Sequence, residues 1–168
     1  MGFLDKIFGK DKKSDLANSK DGIRLSKNVG VPYNKDLIKT LKKDHQKLFE
    51  EFGKILKAAQ NKKYKLLKQY LKAFKVNFEI HNYSEKIQLY TYLKNYYKNE
   101  DMADFIEDMA VSAENIYQDI ISFIKKYETV DFNDQYLLVF KKEMEALGKI
   151  LQSRVEVEES ELYPLYKK

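Results

Sequence analysis

Apolar positions recur with the 3.6-residue period of an α-helix from Asn34 onward, in four separate segments. The predicted helices cover about residues 35–59, 63–96, 101–127 and 134–163, and polar residues such as Asn61 and Asn99 lie between them. Four long helices with short connections bury their apolar stripes most simply as an antiparallel bundle. We therefore predict an all-α fold, an up-down-up-down four-helix bundle over residues 34–168, preceded by an N-terminal extension over residues 1–33.

Polar side chains interrupt three of these stripes near the middle of the helices. The second helix carries HNYSEKIQLYTYL from His81, and the fourth carries RVEVEESELYPLY from Arg154. Each copy has a polar residue, a glutamate four positions later and Leu-Tyr after it, and residues i and i+4 share a helix face. The stripe residues concerned are His45, His81, Glu85, Arg154 and Glu158. The repeat indicates a pseudo-symmetric bundle of two helix pairs.

Helical phase also relates the first helix to the third. His45 has apolar residues at −7, −4, +3 and +7, and so does Ala113. Carboxylates that face a core need a counter-charge, because burying an unpaired ion is costly. The candidates in this chain are a metal ion, the arginine at 154, or protons on the histidines. A histidine and a glutamate at i and i+4 are a metal-ligand arrangement, whereas an arginine repels a metal.

These residues resemble the hemerythrin-like (HHE) domain family over about residues 35–166. That family has a histidine on the first and third helices and HxxxE on the second and fourth, and the resemblance implies a non-haem di-iron centre. The matching residues are His45, His81, Glu85 and Glu158, and Leu162-Tyr163-Pro164 is similar to the family's fourth-helix ending. A ferritin-like Glu-x-x-His motif is absent, because Phe78 lies three residues before His81.

Two of the family's ligand positions differ in this chain. Ala113 occupies the third-helix position and Arg154 replaces the fourth-helix histidine. The resemblance leaves His45, His81, Glu85 and Glu158 as candidate metal ligands. We interpret the arginine as charge compensation and favour a core without a cofactor; a single iron or zinc ion is the alternative. Whether Glu114 or Arg154 points into the site is left open.

Composition narrows the function further. The chain has 168 residues and a net charge of +5. It has no cysteine, which excludes thiolate metal sites and thiol nucleophiles. Arg24 and Arg154 are the only arginines, so we expect no nucleic-acid binding. No apolar run approaches the ~18–20 residues of a membrane span, and no signal peptide is present. We expect a cytoplasmic protein.

The first 13 residues, MGFLDKIFGKDKK, form a short basic amphipathic segment that could contact an anionic membrane surface or a protein partner of unknown identity. For the whole chain we favour a non-enzymatic binding or regulatory module with an incomplete di-iron site. The alternative is a non-haem iron sensor or carrier of oxygen, nitric oxide or iron that uses the remaining ligands. Oxidase or peroxidase chemistry is a third hypothesis.

Overall fold

Each predicted stripe lies on a helix in the computed structural model, which describes residues 30–168. The helices are α1 (Leu37–Gln60), α2 (Tyr64–Ser84), α3 (Thr91–Tyr96), α4 (Glu100–Glu128) and α5 (Asp134–Val157). The predicted all-α, up-down-up-down four-helix bundle is confirmed. The amphipathic segment predicted for residues 1–13 lies outside the described residues. Over residues 30–168, none of the helices is long and apolar enough to cross a membrane.

Two of the four predicted helices are continuous but contain a π-helical turn. One π turn, Glu85–Tyr90, joins α2 to α3; the other, Glu158–Leu162, follows α5 and leads into a 3₁₀ turn at Tyr163–Leu165. A π turn has hydrogen bonds from i to i+5 and so accommodates an extra residue, and such turns are frequent at functional sites. Both begin at the glutamate of the repeated pattern, so the pseudo-symmetry extends to the backbone.

The ends of the helices follow from local hydrogen bonds. α1 ends in a Schellman motif, in which the Lys63 amide donates to the Ala58 carbonyl at 2.9 Å and Lys62 adopts a left-handed φ of 53°. At the start of α5, the Asn133 side chain accepts a hydrogen bond from the Tyr136 amide at 2.9 Å. These two caps fix where α1 stops and α5 begins.

The hydrophobic core is divided into two clusters by a polar layer. One cluster includes Leu48, Phe78 and Leu147, and the other includes Leu41, Leu89 and Leu162. Among residues 30–168, the buried polar or charged side chains apart from tyrosines are His45, His81, Glu85 and Glu158. Each lies between members of the two clusters along its own helix. The polar layer of the core and the predicted site therefore contain the same four residues.

The helices α1 and α5 approach closely at a glycine. A Cβ atom added to Gly148 would lie 3.0 Å from Phe52 Cζ, whereas one added to Gly53 on α1 would meet nothing within 4 Å. The ring of Phe52 packs edge-on against Phe74, with centroids 6.2 Å apart. Gly148 thus leaves space for an aromatic ring of α1 beside the core.

Candidate metal site

The four predicted residues converge from four elements, which belong to three of the long helices of the bundle. His45 comes from α1, His81 from α2, Glu85 from the first π turn and Glu158 from the second. One nitrogen or carboxylate oxygen of each lies within 4.8 Å of the corresponding atoms of the other three. All four side chains are buried, with 2% to 5% of each residue exposed.

Both histidines turn Nε2 toward this cluster and Nδ1 away from it. His45 Nε2 lies 3.2 Å from Glu158 Oε2, and His81 Nε2 lies 3.9 Å from Glu85 Oε2. On the outer side, His45 Nδ1 bonds Glu159 Oε1 at 2.9 Å. In neutral His45, a hydrogen bond from Nδ1 to a carboxylate leaves the lone pair on Nε2, as in metal-binding histidines; in protonated His45, Nε2 donates to Glu158 instead.

His81 has a weaker version of this arrangement. Asp44 Oδ2 lies 3.8 Å from His81 Nδ1, which is beyond hydrogen-bond distance. That nitrogen is buried without a hydrogen-bond partner among the described residues. The carboxylates of Asp44 and Glu159 were not found by sequence reasoning, because neither lies on the apolar stripe of its helix.

Arg154 points into the polar layer and satisfies several groups at once. Its Nε donates to Glu158 Oε1, and its Nη2 donates to Tyr90 Oη and, at 3.1 Å, to the Met109 carbonyl. Only 9% of the side chain is exposed. The guanidinium therefore occupies the place in the second half of the bundle that corresponds to His81 in the first half.

The predicted third helix is α4 in the structure, and it places Ala113 and Glu114 as follows. Ala113 lines the cavity beside the four residues, as its phase predicts, and offers no donor atom. Glu114 turns outward, where its carboxylate accepts hydrogen bonds from Lys86 at 3.1 Å and Gln118 at 2.8 Å. It does not replace the missing third-helix histidine.

Tyr163 is a member of the site that sequence reasoning missed. Its hydroxyl donates to Glu85 Oε1 at 2.7 Å and lies 3.2 Å from His45 Nε2. Its ring is stacked on His45, with centroids 5.7 Å apart and an interplanar angle of 10°. The signal was present in the repeat, because Tyr90 and Tyr163 both follow the glutamate by five positions. In a regular α-helix that spacing leaves the site face, but the i to i+5 bonds of a π turn restore it.

The electrostatics of the layer are asymmetric. Burial raises the pKa of Glu85, and the charge of Glu158 raises it further. Burial also acts to raise the pKa of Glu158, but the hydrogen bond from His45 and the charge of Arg154 outweigh it and the pKa is lowered. Burial alone would lower the pKa of His45, yet its bonds to Glu158 and Glu159 raise it. One carboxylate thus has its counter-charge, and the Glu85 carboxyl would gain from another cation.

A cavity of about 40 Å³ lies against the four residues. Its other walls are mostly apolar, with Leu48, Phe74, Phe78, Ile116 and Leu151 among them, although Asn82 and Arg154 also line it. This volume exceeds the ~10–15 Å³ that one water needs. The cavity therefore places room for a small molecule directly beside the donor atoms.

The donor set fits one metal ion and does not fit two. Two imidazole nitrogens and two carboxylates are sufficient for mononuclear Fe(II) or Zn(II). A second ion would need the donors that Ala113 and Arg154 do not supply, and it would meet the charge of the guanidinium.

Comparison with known families gives a match. The family model described as the hemerythrin HHE cation binding domain matches residues 36–166. No curated protein and no solved structure matches the chain significantly. The match and the buried His/Glu cluster do not support the expectation of a core without a cofactor.

Proposed function

The chain belongs to the hemerythrin HHE cation-binding family, and on that premise we propose that it holds a single non-haem iron ion and acts as a non-enzymatic sensor or carrier of a small ligand. The observation that carries this proposal is the convergence of four buried donors within 4.8 Å. His45, His81, Glu85 and Glu158 would hold the ion. Iron at such a site supplies a Lewis acid that can change oxidation state.

The orientation of the histidines supports a bound cation over a purely structural polar core. The Glu159 carboxylate holds His45 with Nε2 toward the cluster, and the ring of Tyr163 packs on its face. Holding the ligand in one orientation before binding lowers the entropy that binding must remove. A histidine that served only as a hydrogen-bonding core residue would not need both features.

The arginine supports one ion instead of two. Arg154 provides a fixed positive charge to Glu158 on the side where a second ion would lie. Since the two charges are buried together, the pair is stable only while both partners are present. Arg154 therefore sets the number of ions in the proposed site.

The cavity supports a small, uncharged ligand. Its mostly apolar walls and its volume of about 40 Å³ suit a diatomic gas such as dioxygen or nitric oxide. Larger organic substrates require clefts of about 300–1,000 Å³. A sensing or carrying role follows more readily than catalysis on a larger molecule.

Metal content of the purified chain tests the proposal. Protein prepared without oxygen and supplied with Fe(II) should carry about one iron per chain by elemental analysis. His81→Ala should reduce the iron to background, because it removes one of two imidazole donors. Tyr83→Ala is the control, since Tyr83 lies on the same helix with 65% of the residue exposed. Tyr83→Ala should keep its iron; absence of iron and zinc from the unaltered chain would refute a metal-binding role.

A further inference from the structure

Tyr163 places an oxygen atom among the proposed ligands. Its hydroxyl is 2.7 Å from Glu85 Oε1 and 3.2 Å from His45 Nε2, and both of these atoms belong to the proposed metal site. Only 2% of Tyr163 is exposed, and its ring is held against His45. An ion bound by Glu85 and His45 would therefore have the Tyr163 oxygen as an immediate neighbour.

The hydroxyl of the equivalent tyrosine in the other half of the bundle, Tyr90, does not hydrogen-bond the proposed ligands. Tyr90 follows Glu85 by five positions, as Tyr163 follows Glu158; Tyr90 is the last residue of the first π turn, and Tyr163 comes directly after the second. The Tyr90 hydroxyl, however, donates to the Met109 carbonyl at 3.3 Å and accepts from Arg154. Tyr90 thus forms a hydrogen bond with Arg154, whereas the Tyr163 hydroxyl contacts His45 and Glu85.

On the basis of the proposed function, we propose that Tyr163 is a fifth ligand, whose phenolate oxygen binds the ion in its ferric form. Tyrosine oxygen is an established iron ligand in proteins. When Tyr163 binds, its O–H bond breaks, one iron–oxygen bond forms and the proton passes to solvent, with no electron transferred. The added negative charge offsets the additional positive charge of ferric over ferrous iron, so the net charge of the buried layer is the same in both forms.

The visible spectrum of the iron-loaded chain tests this assignment. A phenolate bound to ferric iron produces a charge-transfer band, which resonance Raman spectroscopy identifies through the ring vibrations of tyrosine. The full chain loaded with ferric iron should show the band. Tyr163→Phe should lose the band while it retains about one iron per chain. Tyr90→Phe is the matched control, because it removes the equivalent hydroxyl in the other half, and it should keep the band.

The outcomes separate this proposal from the one on which it rests. Iron bound without a tyrosine band, or a band that persists in Tyr163→Phe, would leave Tyr163 as a hydrogen-bond partner of Glu85 only and overturn the assignment. Failure of the unaltered chain to bind iron would instead contradict the proposed function. Should Tyr163→Phe lose its iron, the Raman band of the unaltered chain and its persistence in Tyr90→Phe still assign the ligand.

Discussion

The guanidinium of Arg154 links groups that would otherwise be stranded in the core. It bonds Glu158, Tyr90 and the Met109 carbonyl, and 9% of the side chain is exposed. Removing one partner of a buried ion pair leaves an uncompensated charge, which costs about 3–5 kcal/mol. We therefore expect Arg154→Leu to lower the free energy of unfolding of the metal-free chain by about that amount, as measured by urea denaturation.

An exposed ion pair provides the control for this prediction. Lys94 Nζ lies 2.6 Å from Glu107 Oε2 with 43% of the lysine side chain exposed, so Lys94→Leu should change stability little. Added metal should restore part of the loss in Arg154→Leu, because the ion supplies positive charge to Glu158. An Arg154→Leu chain as stable as the unaltered one would place the guanidinium in solvent.

The individual residues of the site were predictable to the extent that they follow a regular α-helix. His81 and Glu85 were found because i and i+4 share a face, and His45 because it interrupts an apolar stripe. Tyr163 was missed because a spacing of five leaves that face unless a π turn intervenes. Asp44 and Glu159 were missed because they approach the histidines from beside the stripe.

At the scale of helices, the two glycines in α1 and α5 make different demands. Gly53 is exposed with nothing near its Cα face, so Gly53→Ala should raise the free energy of unfolding by about 0.5–1 kcal/mol through helix propensity. Gly148→Ala gains the same propensity, but its Cβ would lie 3.0 Å from the ring of Phe52. We expect Gly148→Ala to be destabilised by about 1 kcal/mol, because overpacking outweighs the gain.

Thermal denaturation of both alanine variants measures this difference. The double variant Gly148→Ala with Phe52→Leu should recover part of the stability, since the smaller side chain removes the close contact. Equal stabilisation by the two single alanine substitutions would mean that Phe52 moves aside freely, and that α1 and α5 are not held apart by this contact.

The stripes gave the positions of the helices but not their irregular turns. His81, Glu85, Leu89 and Leu93 are buried at successive intervals of four. In a regular helix that interval drifts by about 40° per step, because each residue turns by about 100°. An apolar stripe that drifts in this way indicates a π turn. The π turn also explains why Tyr90 is buried, whereas Tyr92, which lies three residues after Leu89 and would face the core of a regular helix, is half-buried.

For the whole molecule, a metal ion bound at the polar layer would make stability depend on metal concentration. A ligand that binds only the folded chain stabilises it by about 2.7 kcal/mol at a concentration of 100 Kd. We expect saturating Fe(II) under anaerobic conditions to raise Tm by roughly 5–10 °C, given about 2–4 °C per kcal/mol for a chain of this size. Differential scanning calorimetry should show this rise in the unaltered chain and no rise in His81→Ala. An equal rise in both would indicate iron bound elsewhere.

The architecture of residues 34–168 was predictable because each of the four predicted helices is long, amphipathic and separated from the next by a recognisable break. Its division of the core was also foreseeable, since His45, His81, Glu85 and Glu158 each interrupt an apolar stripe at mid-helix. The packing that positions Arg154 was not, because its partners Tyr90 and Met109 come from other helices and their distances depend on tertiary structure.

The two π turns have a consequence for how this site withstands genetic change. Each π turn contains more residues than an α-helical turn. The extra residue sets the direction in which Leu89 or Leu162, and the tyrosine after it, point from the helix. The geometry is therefore encoded partly by residue count, and many substitutions on the outer surface of these turns leave it intact. Loss of a single codon from a regular helical turn rotates all that follows by about 100°. Loss of one between the glutamate and the tyrosine of either π turn should instead leave an α-helical turn with the tyrosine four positions after the glutamate, on the same face. The two turns should therefore tolerate a shortening that the regular parts of the helices do not.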